Sequence, residues 1–415
     1  MQVDIPYGKE KIKINISEPF NILMPNKVEI KNQNKIIKNA LDNPINCVSF
    51  KEFISESKKL LVIVNDATRP TPTSKILDYI FPILSAHPNV KFIIATGTHR
   101  APTEEERRFI FGKTYDSFKK QIYVHDARKA EDMTYIGKTK RGTEIYINKL
   151  IPEYKNILII GSVEPHYFAG YTGGRKSFLP GVASFKTVEM NHKFALSDKA
   201  CSLALDGNPV HEDMVDAVNF LKDLNVFSIQ TVLSTDNKLF AAIAGNLHES
   251  FNAAIKYCNQ IYCVALKKKG NIVITVAPYP MDIDFYQSQK ALDNGKLALE
   301  DDGIIIIVSK CRKGVGDNTF LDLLCKADTP KKLFDVLGED YKLGYHKAVK
   351  IAELGMKAQI WAVTDLDDAI VKKAMLKPYS NIQKAVDDAI ISIKSKGKKT
   401  NIIVMPFGSL TIPLC

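Results

Sequence analysis

The sequence predicts an α/β protein built as two Rossmann-like three-layer domains. Two observations carry that prediction. Short apolar runs rich in Ile and Val recur along the chain, and stretches with helical character lie between many of them. Runs of this kind suit strands buried on both faces, and alternation of strand and helix favours parallel sheets in doubly wound layers.

In chain order, the predicted strands are Leu60–Val64, Phe92–Ala95, Ile157–Ile160, Val226–Leu233, Ile272–Val276, Ile304–Val308, Ile360–Val363 and Ile402–Met405. Pro102–Gly112 reads as a helix, with a proline early and Glu104–Glu106 where the helix dipole favours acids. His248–Asn259 reads as another. The Ser-Thr-Asp-Asn turn within Leu233–Leu239 predicts one antiparallel hairpin. Trp361, between Ile360 and Ala362 in a strand pattern, is expected to pack in a core. The polar, glycine-broken stretch Lys267–Asn271 predicts the division into an N-terminal domain, 1–268, and a C-terminal domain, 269–415.

The 415 residues carry a formal net charge of +11, which favours acidic ligands such as carboxylates, phosphates or a nucleotide. Nucleic acid is not expected. The lysines are scattered, the basic runs Lys267–Lys269 and Lys394–Lys399 are short, and no nucleic-acid-binding motif is present. Seven cysteines without a C-x-x-C pair fit reduced thiols rather than a disulfide framework or a cysteine zinc site. Met1–Pro19 lacks an apolar signal core, and no apolar run is long enough to cross a bilayer. The expectation is a cytoplasmic protein with no membrane partner.

Three loops share one design. Leu60–Val64 runs into Asn65-Asp66-Ala67-Thr68-Arg69-Pro70, Phe92–Ala95 into Thr96-Gly97-Thr98-His99-Arg100, and Ile157–Ile160 into Gly161-Ser162-Val163-Glu164-Pro165-His166. Open α/β sheets bind ligands beyond the carboxyl ends of their strands. Asp66 and Arg69 read either as a turn salt bridge or as a carboxylate-binding arginine beside an acid that orients a neighbour. His99 and His166, each ordinary for a loop when taken alone, together read as an acid–base pair.

The loop Gly170-Tyr171-Thr172-Gly173-Gly174-Arg175-Lys176-Ser177 resembles a phosphate-binding loop but has Arg175 where a Walker motif needs glycine, which argues against Mg-ATP chemistry. It remains a candidate phosphate cradle, and Lys176 a candidate attachment point. His192, in Met190-Asn191-His192-Lys193, makes a three-histidine metal site conceivable with His99 and His166; zinc is the default for such a set. Lys290, near Tyr286 and Gln287, follows a strand-end loop; it is either a solvated helix lysine or a ligand-binding one.

Taken together, Asp66-Ala67-Thr68-Arg69-Pro70, Thr96-Gly97-Thr98-His99-Arg100, Glu164-Pro165-His166, Tyr171 through Gly181, Asn191-His192 and Asp206-Gly207-Asn208-Pro209-Val210-His211 resemble the nickel-pincer-nucleotide-dependent lactate racemase family. The resemblance implies a 2-hydroxy-acid racemase or epimerase with an active-site cleft between its two domains. It implies a nickel-bearing pyridinium-3,5-bisthiocarboxylic acid mononucleotide, held covalently by Lys176, with His192 as the protein ligand to nickel. Asp66, Thr68, Gly173 and Gly174 would line that cofactor. His99 and His166 would exchange protons with the substrate while hydride moves between C2 and the cofactor. Arg69 and Lys290 would bind the substrate, with Tyr286 and Gln287 near its side chain. The implied partners are a small 2-hydroxy acid and the enzymes that make the cofactor. A three-histidine zinc hydrolase and a non-catalytic anion- or nucleotide-binding protein are the alternatives.

Overall fold

The computed structural model describes residues 1–337 and 341–415. The chain divides into two compact units, Lys27–Ile261, and Met1–Asn26 together with Tyr262–Cys415.

In the unit Lys27–Ile261, six strands form one sheet in the spatial order Leu239–Gly245, Asn225–Leu233, Asn156–Ser162, Leu60–Asn65, Val90–Ala95 and Ile122–Val124. All neighbours are parallel except Leu239–Gly245, which returns antiparallel after the turn at Ser234–Asn237, as the sequence predicts. Successive side chains of a strand point to opposite faces. Leu60, Val62 and Val64 therefore face a core that includes Ile76, Ile80 and Phe111, and Leu61 and Ile63 face a second core that includes Ile147, Val182 and Met214. Both faces are covered, which is why these strands read as continuous apolar runs. From Leu60–Asn65 the chain adds strands first on one side, then on the other. The reversal makes a topological switch point between Leu60–Asn65 and Asn156–Ser162.

The helix predicted over Pro102–Gly112 spans Glu104–Phe111. Thr103 accepts from the Glu106 amide and Glu106 reciprocates, a capping box that starts the helix after the proline rather than at it. Gly112 ends it with a φ of 55°, open to glycine at low cost.

The other unit holds an all-parallel sheet in the order Lys377–Tyr379, Gln359–Val363, Leu299–Val308, Gly270–Val276, Ile402–Met405 and Phe20–Ile22. Its core packs Ile272, Ile274, Ile304 and Ile306 against Ala385, Val386 and Ala389 of the helix Ile382–Ser395. The hairpin Gln2–Tyr7 with Glu10–Asn15 adds Val3, Ile5 and Ile14 to the same core. Trp361 is buried there, its ring stacked on Tyr379 at 5.0 Å.

This division differs from the continuous one expected over 1–268 and 269–415. Phe20–Ile22 pairs with Ile402–Val404, so the first 26 residues belong with the later part of the chain. Cys263–Ala265 pairs with Ile412–Leu414, which moves the later boundary back to Tyr262. Among the described residues, no helix is long and apolar enough to cross a membrane.

Candidate active site

The switch point of the unit Lys27–Ile261 gathers the three polar loops. Asn65 Nδ2 donates to Thr71 Oγ1 at 2.7 Å, and Thr71 Oγ1 lies 2.9 Å from Ser162 Oγ, so the loops after adjacent strands are tied across the crevice. Gly97 N donates to Gly181 O at 3.0 Å, joining the loop of His99 to the segment after Lys176.

Within this frame Asp66 and His99 form a pair. His99 Nδ1 lies 2.8 Å from Asp66 Oδ2, and Thr68 donates from Oγ1 to Asp66 Oδ1 at 2.7 Å. Burial pushes the Asp66 carboxyl up, but the hydrogen bonds from His99 and Thr68 and the charges of His99 and Arg69 outweigh it and hold the group below its ordinary value. The carboxylate is buried while the imidazole is 46% exposed, so the ring can meet a ligand. A carboxylate at Nδ1 fixes the tautomer with its proton there, which leaves the lone pair on Nε2. Asp66 thus pairs with His99, rather than making the turn salt bridge with Arg69 that the sequence left open.

His166 lies on the short strand Pro165–His166, paired antiparallel with Gly170–Tyr171. Ala169 N donates to His166 Nδ1 at 3.3 Å. The tight turn between brings in Phe168, which sequence reasoning passed over. Its buried ring meets His166 edge-on at 4.5 Å and His192 at 5.0 Å, and Lys176 Nζ lies 5.6 Å from its centroid. One aromatic ring therefore touches three of the candidate residues. The signal available in the sequence was the aromatic pair Tyr167-Phe168 directly after His166.

His192 lies near the end of the helix Phe185–Lys193 and is 8% exposed. Burial, assisted by the charge of Lys176, pushes its pKa down to about 3, so the imidazole is neutral near pH 7. Its orientation is set from behind. Asn191 Nδ2 donates to Asp213 Oδ2 at 2.8 Å and to Val210 O at 3.2 Å, which turns Asn191 Oδ1 toward His192 Nδ1 at 3.2 Å. An acceptor at Nδ1 places the ring proton there and the lone pair on Nε2, the form a metal needs. Asp213 is itself held by Thr139 and Thr143. Neither Asp213 nor its threonines are marked by local sequence.

The glycines at 173 and 174 have a packing reason. Both have positive φ, 81° and 53°, and a Cβ would lie 2.6 Å from Gln230 Oε1 at the first and 2.8 Å from the Phe251 ring at the second. Arg175 turns inward: it donates to Ala169 O at 2.6 Å and lies over the Phe251 ring at 4.7 Å. Burial lowers its pKa to about 9. The loop's arginine is thus engaged with protein groups, while Lys176 sits beside Phe168 and is 8% exposed. The three-histidine metal site does not form: among the described residues, no group of three or more His, Cys, Asp or Glu side chains is arranged to hold a metal.

Tyr286, Gln287 and Lys290 lie on the helix Phe285–Gly295 of the other unit. Asp284 caps this helix by accepting from Gln287 N at 2.7 Å. The Tyr286 ring meets Phe320 at 5.6 Å and the Lys347 ammonium at 3.9 Å; burial pushes its hydroxyl pKa up. Lys347 carries no mark in the sequence, because a lysine on a helix is usually solvated.

Residues 7–203 match the family model of the lactate racemase N-terminal domain, and residues 265–412 match that of the lactate racemase C-terminal domain. A lactate racemase of Thermoanaerobacterium thermosaccharolyticum is 31% identical over 97% of each chain. The chain belongs to the lactate racemase family. A lactate racemase of Lactiplantibacillus plantarum is 28% identical over 98% of each chain. The structure of the lactate racemase apoprotein from T. thermosaccharolyticum superposes with a TM-score of 0.91 at 30% identity, covering all of both chains. A Thermotoga maritima protein shares the fold, with a TM-score of 0.69 at 15% identity over 92% of this chain and 98% of the other. Asp66, Arg69, His99, His166, Lys176 and His192 all fall within the part matched by the lactate racemase N-terminal model, and Tyr286, Gln287 and Lys290 within the C-terminal one. Lactate racemases are isomerases, and this chain is an isomerase of that family.

Proposed function

We propose that this chain inverts C2 of a 2-hydroxy acid, with lactate as the parent substrate, and that it does so with a nickel-pincer nucleotide. The observation that carries the proposal is the pairing of His99 with buried Asp66, in the same unit as the Lys176, Phe168 and His192 group.

The residues fit that cofactor. A neutral His192 with its lone pair on Nε2 is a competent nickel ligand, and Lys176, against the same Phe168 ring, is the candidate for the covalent tether. Asp66, Thr68, Gly173 and Gly174 are the further family-matched positions for its surroundings. When bound, the cofactor would supply an acceptor for hydride from C2.

The chain's own residues do the rest. Arg69 offers a planar, permanently charged fork to the substrate carboxylate. His99 takes the hydroxyl proton at Nε2, and Asp66 stabilises the imidazolium that results. His166 exchanges the proton for the opposite enantiomer, since one base cannot serve both faces of C2. The family resemblance implies Lys290 as a substrate ligand, with Tyr286 and Gln287 near the substrate's side chain. The seven free thiols and the surplus of basic residues suit a cytoplasmic enzyme of anionic metabolites, supplied by cofactor-making enzymes.

The test is co-expression with those enzymes, then nickel content, intact mass and chiral analysis of products from each lactate enantiomer and a panel of 2-hydroxy acids. Racemisation by nickel-loaded protein is expected. Loaded protein that inverts no member of the panel would overturn the reading.

A further inference from the structure

Two helices of the unit that contains Tyr262–Cys415 are joined by a reciprocal pair of contacts. Lys347, on the helix Tyr345–Gly355, donates from Nζ to the Tyr286 carbonyl. In return Gln289 Nε2 donates to the Lys347 carbonyl at 2.7 Å. The Lys347 ammonium also lies over the Tyr286 ring, 3.9 Å from its centroid, and Phe320 meets that ring at 5.6 Å. Lys347 is 2% exposed and Gln289 is 1% exposed, so water does not loosen the clamp.

Burying an ammonium is costly unless it finds partners. Burial first, and then the charge of Lys290, pulls the Lys347 pKa down to about 7, against the opposing charges of Asp293, Asp284 and Asp317. An apolar side chain would fill the same space without that cost, so the lysine needs another explanation. The carbonyl it reaches supplies one. Tyr286 O is one turn before Lys290 N on the helix Phe285–Gly295, and a carbonyl has two lone pairs, so Lys347 adds a second donor to it. Tyr286 and Lys290 are also four apart, on one face of the helix.

We propose that Lys347 is a positioning residue that, with Gln289, locks the Tyr286–Lys290 turn in the orientation in which these side chains meet the substrate. This rests on the reading that Tyr286 and Lys290 bind the substrate.

The experiment uses the nickel-loaded enzyme and the variants Lys347→Met, Gln289→Met, their double, Lys347→Arg and Lys290→Met. It reads kcat and KM from each enantiomer, and amide hydrogen exchange across residues 284–291. Lys347→Met and Gln289→Met are each expected to raise KM about tenfold with kcat changed less than about twofold. The double variant should raise KM by less than the product of the single effects, because both cut one clamp. Lys347→Arg, which keeps the charge over the ring, should recover most of the loss. Exchange across 284–291 should be faster in Lys347→Met. Parental KM in both clamp variants alongside a raised KM in Lys290→Met would overturn the role of Lys347 and leave the substrate reading standing. Parental KM in Lys290→Met would overturn the substrate reading, and the positioning role with it. A raised KM without faster exchange would also overturn the proposal. If Lys347→Met does not fold, Gln289→Met decides by the same criteria.

Discussion

His99 Nδ1 lies 2.8 Å from Asp66 Oδ2, so an exposed imidazole is aimed by a buried carboxylate. Asp66→Asn keeps the size of the side chain but no longer selects the Nδ1-protonated tautomer. It is expected to lower turnover per bound nickel about 10²-fold or more. Metal analysis and turnover on the same preparation check this, and parental turnover would remove Asp66 from the role.

His99→Ala and His166→Ala are each expected to suppress racemisation from both enantiomers, by about 10²-fold or more. Rates started separately from D- and L-substrate with fully loaded protein make the measurement. A variant that keeps near-parental rates in both directions carries no proton in the reaction.

Lys176→Ala should yield folded protein whose intact mass lacks the cofactor adduct. His192→Ala should fold but lose nickel faster than the parent under a matched chelator challenge. A normal adduct in the first, or parental nickel retention in the second, assigns the tether or the ligand elsewhere.

Phe168 is buried and touches His166, His192 and Lys176 together. Phe168→Ala is expected to cost about 3–5 kcal/mol of stability, as large aromatic truncations in cores do. Denaturant unfolding of the cofactor-free protein reads this directly. A loss below about 1 kcal/mol would mean that the ring does not organise the group.

Burial, and then the charge of Arg175, pushes the His211 pKa down to about 3. Between that value and the ordinary histidine range near 6.5, the unfolded chain binds a proton that the folded chain does not. Stability should therefore fall as pH drops from about 6.5 toward 3, and His211→Leu should flatten part of that slope. Denaturation midpoints of parent and variant at pH 7 and pH 5 test it; parallel slopes would contradict the shift.

The inner strands were legible because both of their faces are covered, which leaves continuous Ile- and Val-rich runs such as Leu60–Val64 and Ile304–Val308. Phe20–Ile22 was not, because three residues at a sheet edge bear no pattern of their own and their partner, Ile402–Val404, is remote in sequence. The hairpin at the N-terminus did carry a signal, the alternation of Val3 with Ile5 and of Ile12 with Ile14 around Gly8. In the site, His99 and His166 could be singled out because strand-end loops concentrate chemistry. The supports behind them were hidden. Asn191 and Asp213 meet only when two helices pack, and Lys347 looks like any helix lysine until its burial is seen. Gly173 and Gly174 suggested a phosphate cradle, yet their close neighbours Gln230 and Phe251 are protein groups brought in by tertiary packing.

The edge strand Phe20–Ile22 takes its place only against Ile402–Val404, a partner made after the whole of Lys27–Ile261. During translation Phe20–Ile22 emerges without its partner, while Lys27–Ile261 has all six strands of its own sheet available much earlier. Domains generally fold as units as they leave the ribosome, and closing so long a loop is slow relative to local pairing. The unit Lys27–Ile261 is therefore expected to fold first on the nascent chain, with Phe20–Ile22 waiting until Ile402–Met405 is released.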